Sequence, residues 1–182
     1  MNREYEISLV GEYQIENALT VIETVENSGY DIPYETVKAA LANTFFPARA
    51  EIIRKKPLVM LDGAHNADGG AELSKILKKQ GGKAVALIGV MRDKDYKAVL
   101  SATLPLCRAA VAVTVENMPR SLDCNTLAVA ANEYCPTATA ENYDEAIKKA
   151  SEIAGKDPVF VFGSLYLAGG IRQKLIDYYK NF

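Results

Sequence analysis

The 182-residue sequence lacks most of the features that mark metal-binding, nucleic-acid-binding and membrane proteins. Its three cysteines, Cys107, Cys124 and Cys135, are odd in number and do not have the C-x-x-C spacing of a zinc or redox site, so we expect reduced thiols. No apolar run reaches the roughly 18 residues that a membrane span requires. The formal net charge of -2 argues against a nucleic-acid partner, whose binding surface would normally be basic.

Two further absences concern location and nucleotide binding. The first six residues contain two acids and no apolar stretch, so the sequence predicts no secretory signal and a cytoplasmic protein without a membrane partner. No segment has the G-x-x-x-x-G-K-S/T spacing of a phosphate-binding loop, and residues 163–170 do not match G-x-G-x-x-G. A nucleotide bound to this chain would therefore lack its usual glycine-rich cradle.

From residue 50 onward the sequence alternates apolar, strand-like runs with amphipathic helices. After a hairpin that begins near Glu51, buried strands are predicted at 58–61, 84–88, 109–115 and 159–162. Helices are predicted at 67–80, 96–104, 125–134 and 143–154, and a last one passes through Ile171 and Tyr178. This pattern predicts an α/β fold: a Rossmann-like, doubly wound, mostly parallel sheet flanked by helices, with right-handed crossovers.

The first 46 residues follow a different pattern. Residues 5–10 alternate weakly and predict a short strand, and helices are predicted over 15–25 and 34–43. One strand and two helices cannot form a core of their own, so we interpret residues 1–46 as the tail of another domain and residues 47–182 as the sheet domain. Pro47 supports this boundary because it disfavours helix at the residue before it.

The run at 58–61 ends in the segment DGAHN, residues 62–66, which contains the only histidine. A capped turn into the next helix explains Gly63 and Asn66, and such caps contribute about 0.5–2 kcal/mol. A cap does not explain Asp62, whose position at the carboxyl end of a parallel strand is a frequent place for a ligand-binding carboxylate. A metal site on Asp62 and His65 is the weaker hypothesis because two ligands are too few.

Polar loops also follow the other predicted strands, at residues 89–95, 116–121 and 163–166. Each is explained as a solvated connection, but together, with Arg92, Lys94 and Arg120, they would form a rim for an anionic ligand. Arg49 lies between the domain junction and the sheet. One interpretation is that Arg49 forms a surface ion pair, worth under about 1 kcal/mol. The other is that its planar guanidinium, at a hinge between two domains, binds phosphate through two parallel hydrogen bonds.

Five blocks of the sequence, in their order and spacing, resemble the folylpolyglutamate synthase branch of the Mur ligase family. They are GEYQIENA at 11–18, FPARAE at 46–51, DGAHN at 62–66, GVMRDKD at 89–95 and GSLYL at 163–167. The resemblance implies an ATP-dependent ligase that joins glutamate to folate through an acyl phosphate, with or without dihydrofolate synthase activity. It implies ATP contacts at Asn17, Arg49 and Asp62, and glutamate handling by His65 and Ser164.

The resemblance also implies a partner domain, cofactors and substrates. The family's P-loop and magnesium ligands lie upstream, so residues 1–46 would end a central ATPase domain and residues 47–182 would form the carboxyl-terminal glutamate-ligase domain, without metal ligands of its own. ATP and Mg²⁺ are the expected cofactors, and reduced folate and L-glutamate the expected substrates of a monomer. We expect this chain to be inactive without the P-loop domain.

The sequence departs from the family pattern at four positions, namely Tyr13, Ala48, Ala50 and Gly170, where histidine, glycine, a larger residue and an acidic residue are more usual. These departures leave the acyl acceptor and the substrate length open. Two other functions also stay open. One is a peptidoglycan-precursor Mur-type ligase domain, which shares the fold and the reaction type. The other is a non-catalytic α/β module that binds a nucleotide or a protein.

Overall fold

The computed structural model describes residues 3–81 and 83–180. Its strands are β1 Glu51–Lys55, β2 Leu58–Leu61, β3 Ala84–Ile88, β4 Cys107–Val113, β5 Thr137–Ala140 and β6 Val159–Phe162. Its helices are α1 Tyr13–Glu26, α2 Tyr34–Asn43, α3 Ala67–Lys78, α4 Tyr96–Thr103, α5 Cys124–Ala131, α6 Tyr143–Ala154 and α7 Leu165–Lys180, with a 3₁₀ turn at Leu104–Leu106.

The six strands form one sheet in the order β1-β2-β6-β3-β4-β5. β1 pairs with β2 antiparallel as a hairpin, and each of the other neighbouring pairs is parallel. Every residue of β3 and β6 is buried, as expected for central strands covered on both faces. The predicted class, a mostly parallel α/β sheet flanked by helices, is confirmed.

Alternate side chains of the strands enter two separate cores. Leu61, Leu87 and Val161 lie in the core that α6 and α7 cover, whereas Met60 and Phe160 lie in the core that α3, α4 and α5 cover. This division follows from the two-residue period of a strand, which sends successive side chains to opposite faces. Four helices begin at a capping Asn or Asp side chain, namely those of Asn66, Asp95, Asp123 and Asn142.

The carboxyl ends of β2, β6 and β3 lie side by side and approach closely. The amide of Asp62 donates to the carbonyl of Val161 at 2.9 Å, and the amide of Gly163 donates to the carbonyl of Ala64 at 3.0 Å. Gly163 has φ of 118°, and a Cβ there would lie 2.8 Å from the carbonyl oxygen of Gly89. Glycine is therefore required at position 163, where the ends of the three strands meet.

The structure differs from the predicted strands at three places. Residues 5–10 form no strand; the segment runs beside α2, and its backbone contact there is a single bond from the amide of Ser8 to the carbonyl of Leu41 at 3.4 Å. Ile7 and Leu9, two partly buried residues of this alternating segment, line a groove beside α1 and α2. β5 was missed because its sequence, TATA, is short and only partly buried, as befits the edge of the sheet. β4 begins two residues earlier than predicted.

α1 and α2 form as predicted, but much of the apolar face of α1 is uncovered. Ile15, Leu19 and Val21 are 54%, 55% and 49% exposed, and the buried residues of α1 are Gln14 and Ala18. An apolar groove of about 280 Å³ lies between α1, α2 and the segment before them. No helix among the described residues combines the length and the apolar character needed to cross a bilayer.

The three cysteines are free thiols, as predicted, and differ in accessibility. Cys107 and Cys135 are buried and Cys124 is partly buried. Burial raises the pKa of the Cys107 thiol to about 12, and burial also raises the pKa of Cys135. Alkylation requires the thiolate, so both buried thiols should be inert in the folded protein.

We predict that an alkylating reagent at neutral to slightly basic pH modifies Cys124 in the native chain and reaches Cys107 and Cys135 after denaturation. Peptide mass spectrometry of labelled protein measures this order. A Cys124→Ala variant is the control and should show almost no native labelling. Modification of Cys107 as fast as that of Cys124 would contradict the described burial.

Candidate functional site

Asp62, directly after β2, forms hydrogen bonds with two backbone segments. Its Oδ2 accepts a hydrogen bond from the amide of Ala50 at 2.7 Å, and its Oδ1 accepts one from the amide of Ala64 at 2.8 Å. Burial raises the pKa of Asp62, while these two N–H bonds and the charges of Arg49 and His65 act in the opposite direction. The carboxylate therefore serves as an acceptor for two strand-end loops.

The loop that carries Arg49 has an unusual backbone. Ala48 and Ala50 adopt φ of 57° and 46°, a left-handed conformation that costs a non-glycine residue about 1–2 kcal/mol. The amide of Gly63 donates to the carbonyl of Ala48 at 2.8 Å, and the amide of Ala48 donates to Oε2 of Glu51 at 3.0 Å. These bonds, with that of Asp62, hold the loop in place. Both alanines are buried.

The loop places Arg49 at the edge of a cavity. The guanidinium lies 5.8 Å from the centre of the Phe46 ring, and the side chain is exposed. The cavity, of about 330 Å³, is lined by residues of the loop, of the DGAHN turn and of two helices, including Tyr13, Asp62, His65 and Glu72. Three of the five predicted site residues, Arg49, Asp62 and His65, therefore lie together.

His65 has one ring nitrogen engaged and one available. Its Nδ1 lies 2.8 Å from the carbonyl oxygen of Gly63. Because a carbonyl oxygen can only accept, Nδ1 must carry the hydrogen, so that Nε2 of the neutral ring is an acceptor. The neighbouring Asn66 caps α3, as predicted, by accepting from the amide of Gly69 at 2.9 Å.

Asn17 and Ser164 lie outside this cavity. Asn17, on α1, is exposed at the apolar groove and donates through Nδ2 to Oε1 of Gln14 at 3.0 Å. Ser164 follows β6 and is 2% exposed; its Oγ accepts from the amide of Tyr166 at 3.0 Å at the start of α7. In this structure Ser164 acts as a helix cap, and neither Asn17 nor Ser164 lines the cavity beside Arg49 and Asp62.

The positive charge of the rim predicted for an anionic ligand is partly neutralised by an ion pair. Nη1 of Arg120 lies 2.6 Å from Oδ2 of Asp93, and its Nη2 lies 3.3 Å from the hydroxyl of Tyr166. The hydrogen bond that Arg120 donates to Asp93, together with the negative charge of Asp93, raises the pKa of Arg120. Arg92 donates to the carbonyl of Pro119. These contacts join the loops after β3 and β4 to the start of α7.

The sequence did not predict the ion pair between Glu51 and Arg172. Arg172, on α7, donates through Nε and Nη2 to both carboxylate oxygens of Glu51, at 2.8 to 3.0 Å. The two residues are 121 positions apart, so no local pattern links them. The available signal was an acid directly after the arginine motif, facing a sheet core where a buried charge needs a partner.

Residues 3–81 and 83–180 contain no group of three His, Cys, Asp or Glu side chains that could hold a metal ion. The donor set of the cavity thus does not fit a magnesium ion held by this chain alone, since the ion favours several oxygen ligands. The cavity combines one arginine, one histidine and the carboxylates of Asp62, Asp68 and Glu72. Arg49 is the group among them that can bind an anion through two parallel hydrogen bonds.

The fold and the site define the class: a parallel α/β domain with an arginine-bearing loop held against a strand-end carboxylate. A family model described as Mur ligase, glutamate ligase domain, matches residues 48–165. The chain belongs to this family. The class to which the resemblance of its motifs pointed is thereby confirmed.

Two relatives illustrate the similarity in sequence. The chain is 29% identical over 178 residues to the folylpolyglutamate synthase of Lacticaseibacillus casei, covering 95% of this chain and 41% of that protein. It is 32% identical over 190 residues to the dihydrofolate synthase/folylpolyglutamate synthase of Mycobacterium tuberculosis, covering 91% of this chain and 39% of that protein. The chain thus spans about two fifths of the length of these relatives.

Solved structures show the same relation. The folylpolyglutamate synthase of Mycobacterium tuberculosis complexed with ADP and AMPPCP superposes with a TM-score of 0.84 at 31% identity, over 93% of this chain and 41% of that one. The Escherichia coli FolC protein in complex with DHPP and ADP superposes with a TM-score of 0.85 over 98% of this chain and 42% of that one. At 22% identity, that second match establishes the fold alone.

We predict that Asp62→Asn lowers the free energy of unfolding by about 1–3 kcal/mol, the cost of leaving a buried backbone N–H without an acceptor. A carboxyl group, ionised or protonated, offers two acceptor oxygens, whereas an amide offers one and places a second donor against Ala50 or Ala64. Urea denaturation measures the change. Asp68→Asn, an exposed aspartate that lines the same cavity, is the matched control and should change stability by less than about 1 kcal/mol.

The stability advantage of the wild type over Asp62→Asn should fall as pH rises. The raised pKa means that the folded state holds the Asp62 proton more tightly than the unfolded state. The contribution is complete below the unfolded pKa of about 3.9 and declines as pH passes the raised folded pKa. If the stability advantage of the wild type instead grew as pH rose above about 3.9, the two N–H bonds would lower the pKa of Asp62 by more than burial raises it.

Proposed function

We propose that this chain is the carboxyl-terminal part of an ATP-dependent ligase that adds glutamate to reduced folate, as a folylpolyglutamate synthase does. The observation that carries the proposal is the cavity in which Arg49, Asp62 and His65 meet, in a chain of the Mur ligase family. Relatives over nearly the whole chain carry the names folylpolyglutamate synthase and dihydrofolate synthase. Activity on dihydropteroate as a second acceptor belongs to the same proposal.

In this proposal Arg49 binds the phosphates of ATP. Its guanidinium is exposed at the rim of the cavity, and it can form two parallel hydrogen bonds with phosphate oxygens. Asp62 orients the Arg49 loop, and its remaining lone pairs can accept from ribose hydroxyls. Asn17 binds the adenine edge: with one amide hydrogen given to Gln14, it retains an acceptor oxygen and a second donor. Asn17 lies on a separate surface, so the nucleotide would extend from the cavity across α1.

His65 and Ser164 are assigned to glutamate. His65 lines the same cavity, and its Nε2 could bind the amino acid or orient its amine. Ser164 is buried and caps α7, so we propose that it acts by fixing the loop after β6 and not by direct contact. The reaction that these groups would serve is transfer of the ATP phosphoryl group to a folate carboxylate, followed by attack of the glutamate amine with loss of phosphate.

We propose that residues 1–46 belong to a central ATPase domain and residues 47–182 to the glutamate-ligase domain. The exposed apolar face of α1 and the adjoining groove support this division, because contiguous apolar surface normally meets a partner. The partner domain would supply the P-loop and the magnesium ligands that the described residues do not provide. Bound magnesium would neutralise phosphate charge.

Arg49→Ala in the ligase polypeptide that contains this chain and its P-loop domain should reduce ATP-dependent incorporation of labelled glutamate into reduced folate by more than tenfold. A tenfold loss corresponds to about 1.4 kcal/mol of transition-state stabilisation. Arg108→Ala is the control: Arg108 pairs with Asp157 near the amino end of β4 and should leave incorporation nearly unchanged. Wild-type incorporation by Arg49→Ala would remove Arg49 from the ATP site.

We expect the purified 182-residue chain to show no glutamate incorporation with ATP, magnesium and reduced folate. The reason is that the phosphate-binding loop and the metal ligands are assigned to the partner domain. The same assay measures this, with the longer polypeptide as the positive control. Ligation by the chain alone would overturn the proposed division. A longer polypeptide that accepts a peptidoglycan precursor and not folate would instead indicate a Mur-type substrate.

A further inference from the structure

The pair formed by Glu51 and Arg172 is more buried than the other ion pairs described in this structure. The side chain of Glu51 is 7% exposed and that of Arg172 is 32% exposed, whereas the remaining pairs are at least 30% exposed on both sides. Nε of Arg172 lies 3.0 Å from both carboxylate oxygens, and Nη2 lies 2.8 Å from Oε1. Such a two-point pair fixes orientation as well as charge.

Both members of the pair also contact the segment that carries Arg49. Oε2 of Glu51 accepts the amide of Ala48 at 3.0 Å. The guanidinium of Arg172 lies 5.6 Å from the centre of the Phe45 ring. The pair therefore contacts the chain on the amino-terminal side of Arg49 at two points, Phe45 and Ala48, while Glu51 itself lies on the carboxyl-terminal side.

The backbone at Ala48 requires such support. Its φ of 57° is unfavourable for alanine, and Asp62 anchors the other side of the loop through Ala50. Glu51 accepts the amide of Ala48 and is nearly buried, so removing the arginine that pairs with it would leave an uncompensated buried charge. Loss of Arg172 would leave Glu51 without its partner and free the amide of Ala48.

We propose that Glu51 and Arg172 are positioning residues that hold the loop at residues 48–50 so that Arg49 faces the phosphates of ATP. This inference rests on the proposed function, because it assigns the effect to Arg49. The pair does not itself touch substrate. Its removal should weaken ATP binding through Arg49 and leave the glutamate site unchanged.

The test uses the ligase polypeptide with its P-loop domain and compares Arg172→Met with Lys174→Met. Lys174 is two residues further along α7 and also forms an ion pair with another helix, at 2.6 Å from Oδ2 of Asp144, without contact to the loop. We expect Arg172→Met to raise the KM for ATP about tenfold with the KM for glutamate within about twofold of wild type. Lys174→Met should change neither. Equal changes in both constants would overturn the proposal.

A double variant separates positioning from a general loss of structure. If the pair acts through Arg49, Arg172→Met should add no further loss of ATP affinity in an Arg49→Ala background, because coupled residues are not additive. Arg172→Lys keeps the positive charge but not the planar guanidinium, so its KM for ATP should lie between those of the wild type and Arg172→Met. A full additional tenfold loss in the Arg49→Ala background would overturn the proposal.

Hydrogen exchange distinguishes failure of this inference from failure of the proposed function. In Arg172→Met the amides of residues 48–50 should exchange faster than in wild type and in Lys174→Met, whatever reaction the enzyme performs. If Arg49→Ala leaves ATP use unchanged, the function assigned to Arg49 fails, and this exchange alone decides whether the pair holds the loop. Unchanged exchange would overturn the positioning role.

Discussion

The site depends on the carboxylate of Asp62 and its two hydrogen bonds to backbone. One bond, at 2.7 Å, reaches Ala50 in the loop before β1, and the other, at 2.8 Å, reaches Ala64 in the turn after β2. Without an acceptor between them, these two buried loops would leave N–H groups unpaired, at a cost of about 1–3 kcal/mol each. The position of Arg49 and the shape of the cavity follow from this one acceptor.

The rest of the loop is held from the opposite side of β1. Glu51 accepts from Ala48, and Arg172 of α7 pairs with Glu51. The arginine motif thus lies between a strand-end carboxylate and a helix-borne ion pair. This arrangement explains how two alanines can keep left-handed backbone angles, which glycine adopts without strain.

The extent to which the sequence predicted this structure depended on how local each signal was. Continuous apolar runs predicted β2, β3 and β6 to the residue, because strands buried on both faces need such runs. β5, an edge strand of alternating Thr and Ala, gave no such signal. Asp62 was predicted as a site residue from its place after a strand, whereas the partnership of Glu51 with Arg172 depends on a contact 121 residues apart that only the fold creates. The sequence likewise did not reveal that Asn17 and Arg49 lie on different surfaces.

The most direct test of this account is a crystal structure of the complete ligase with ADP and magnesium. We expect the Arg49 guanidinium within about 3 Å of a phosphate oxygen, the distance of a charge-assisted hydrogen bond. The bonds from Ala48 and Ala50 to Glu51 and Asp62 should persist. An Arg49 that stays against Phe46 while other residues bind the phosphates, or a loop rebuilt with the Asp62 bonds broken, would contradict the account.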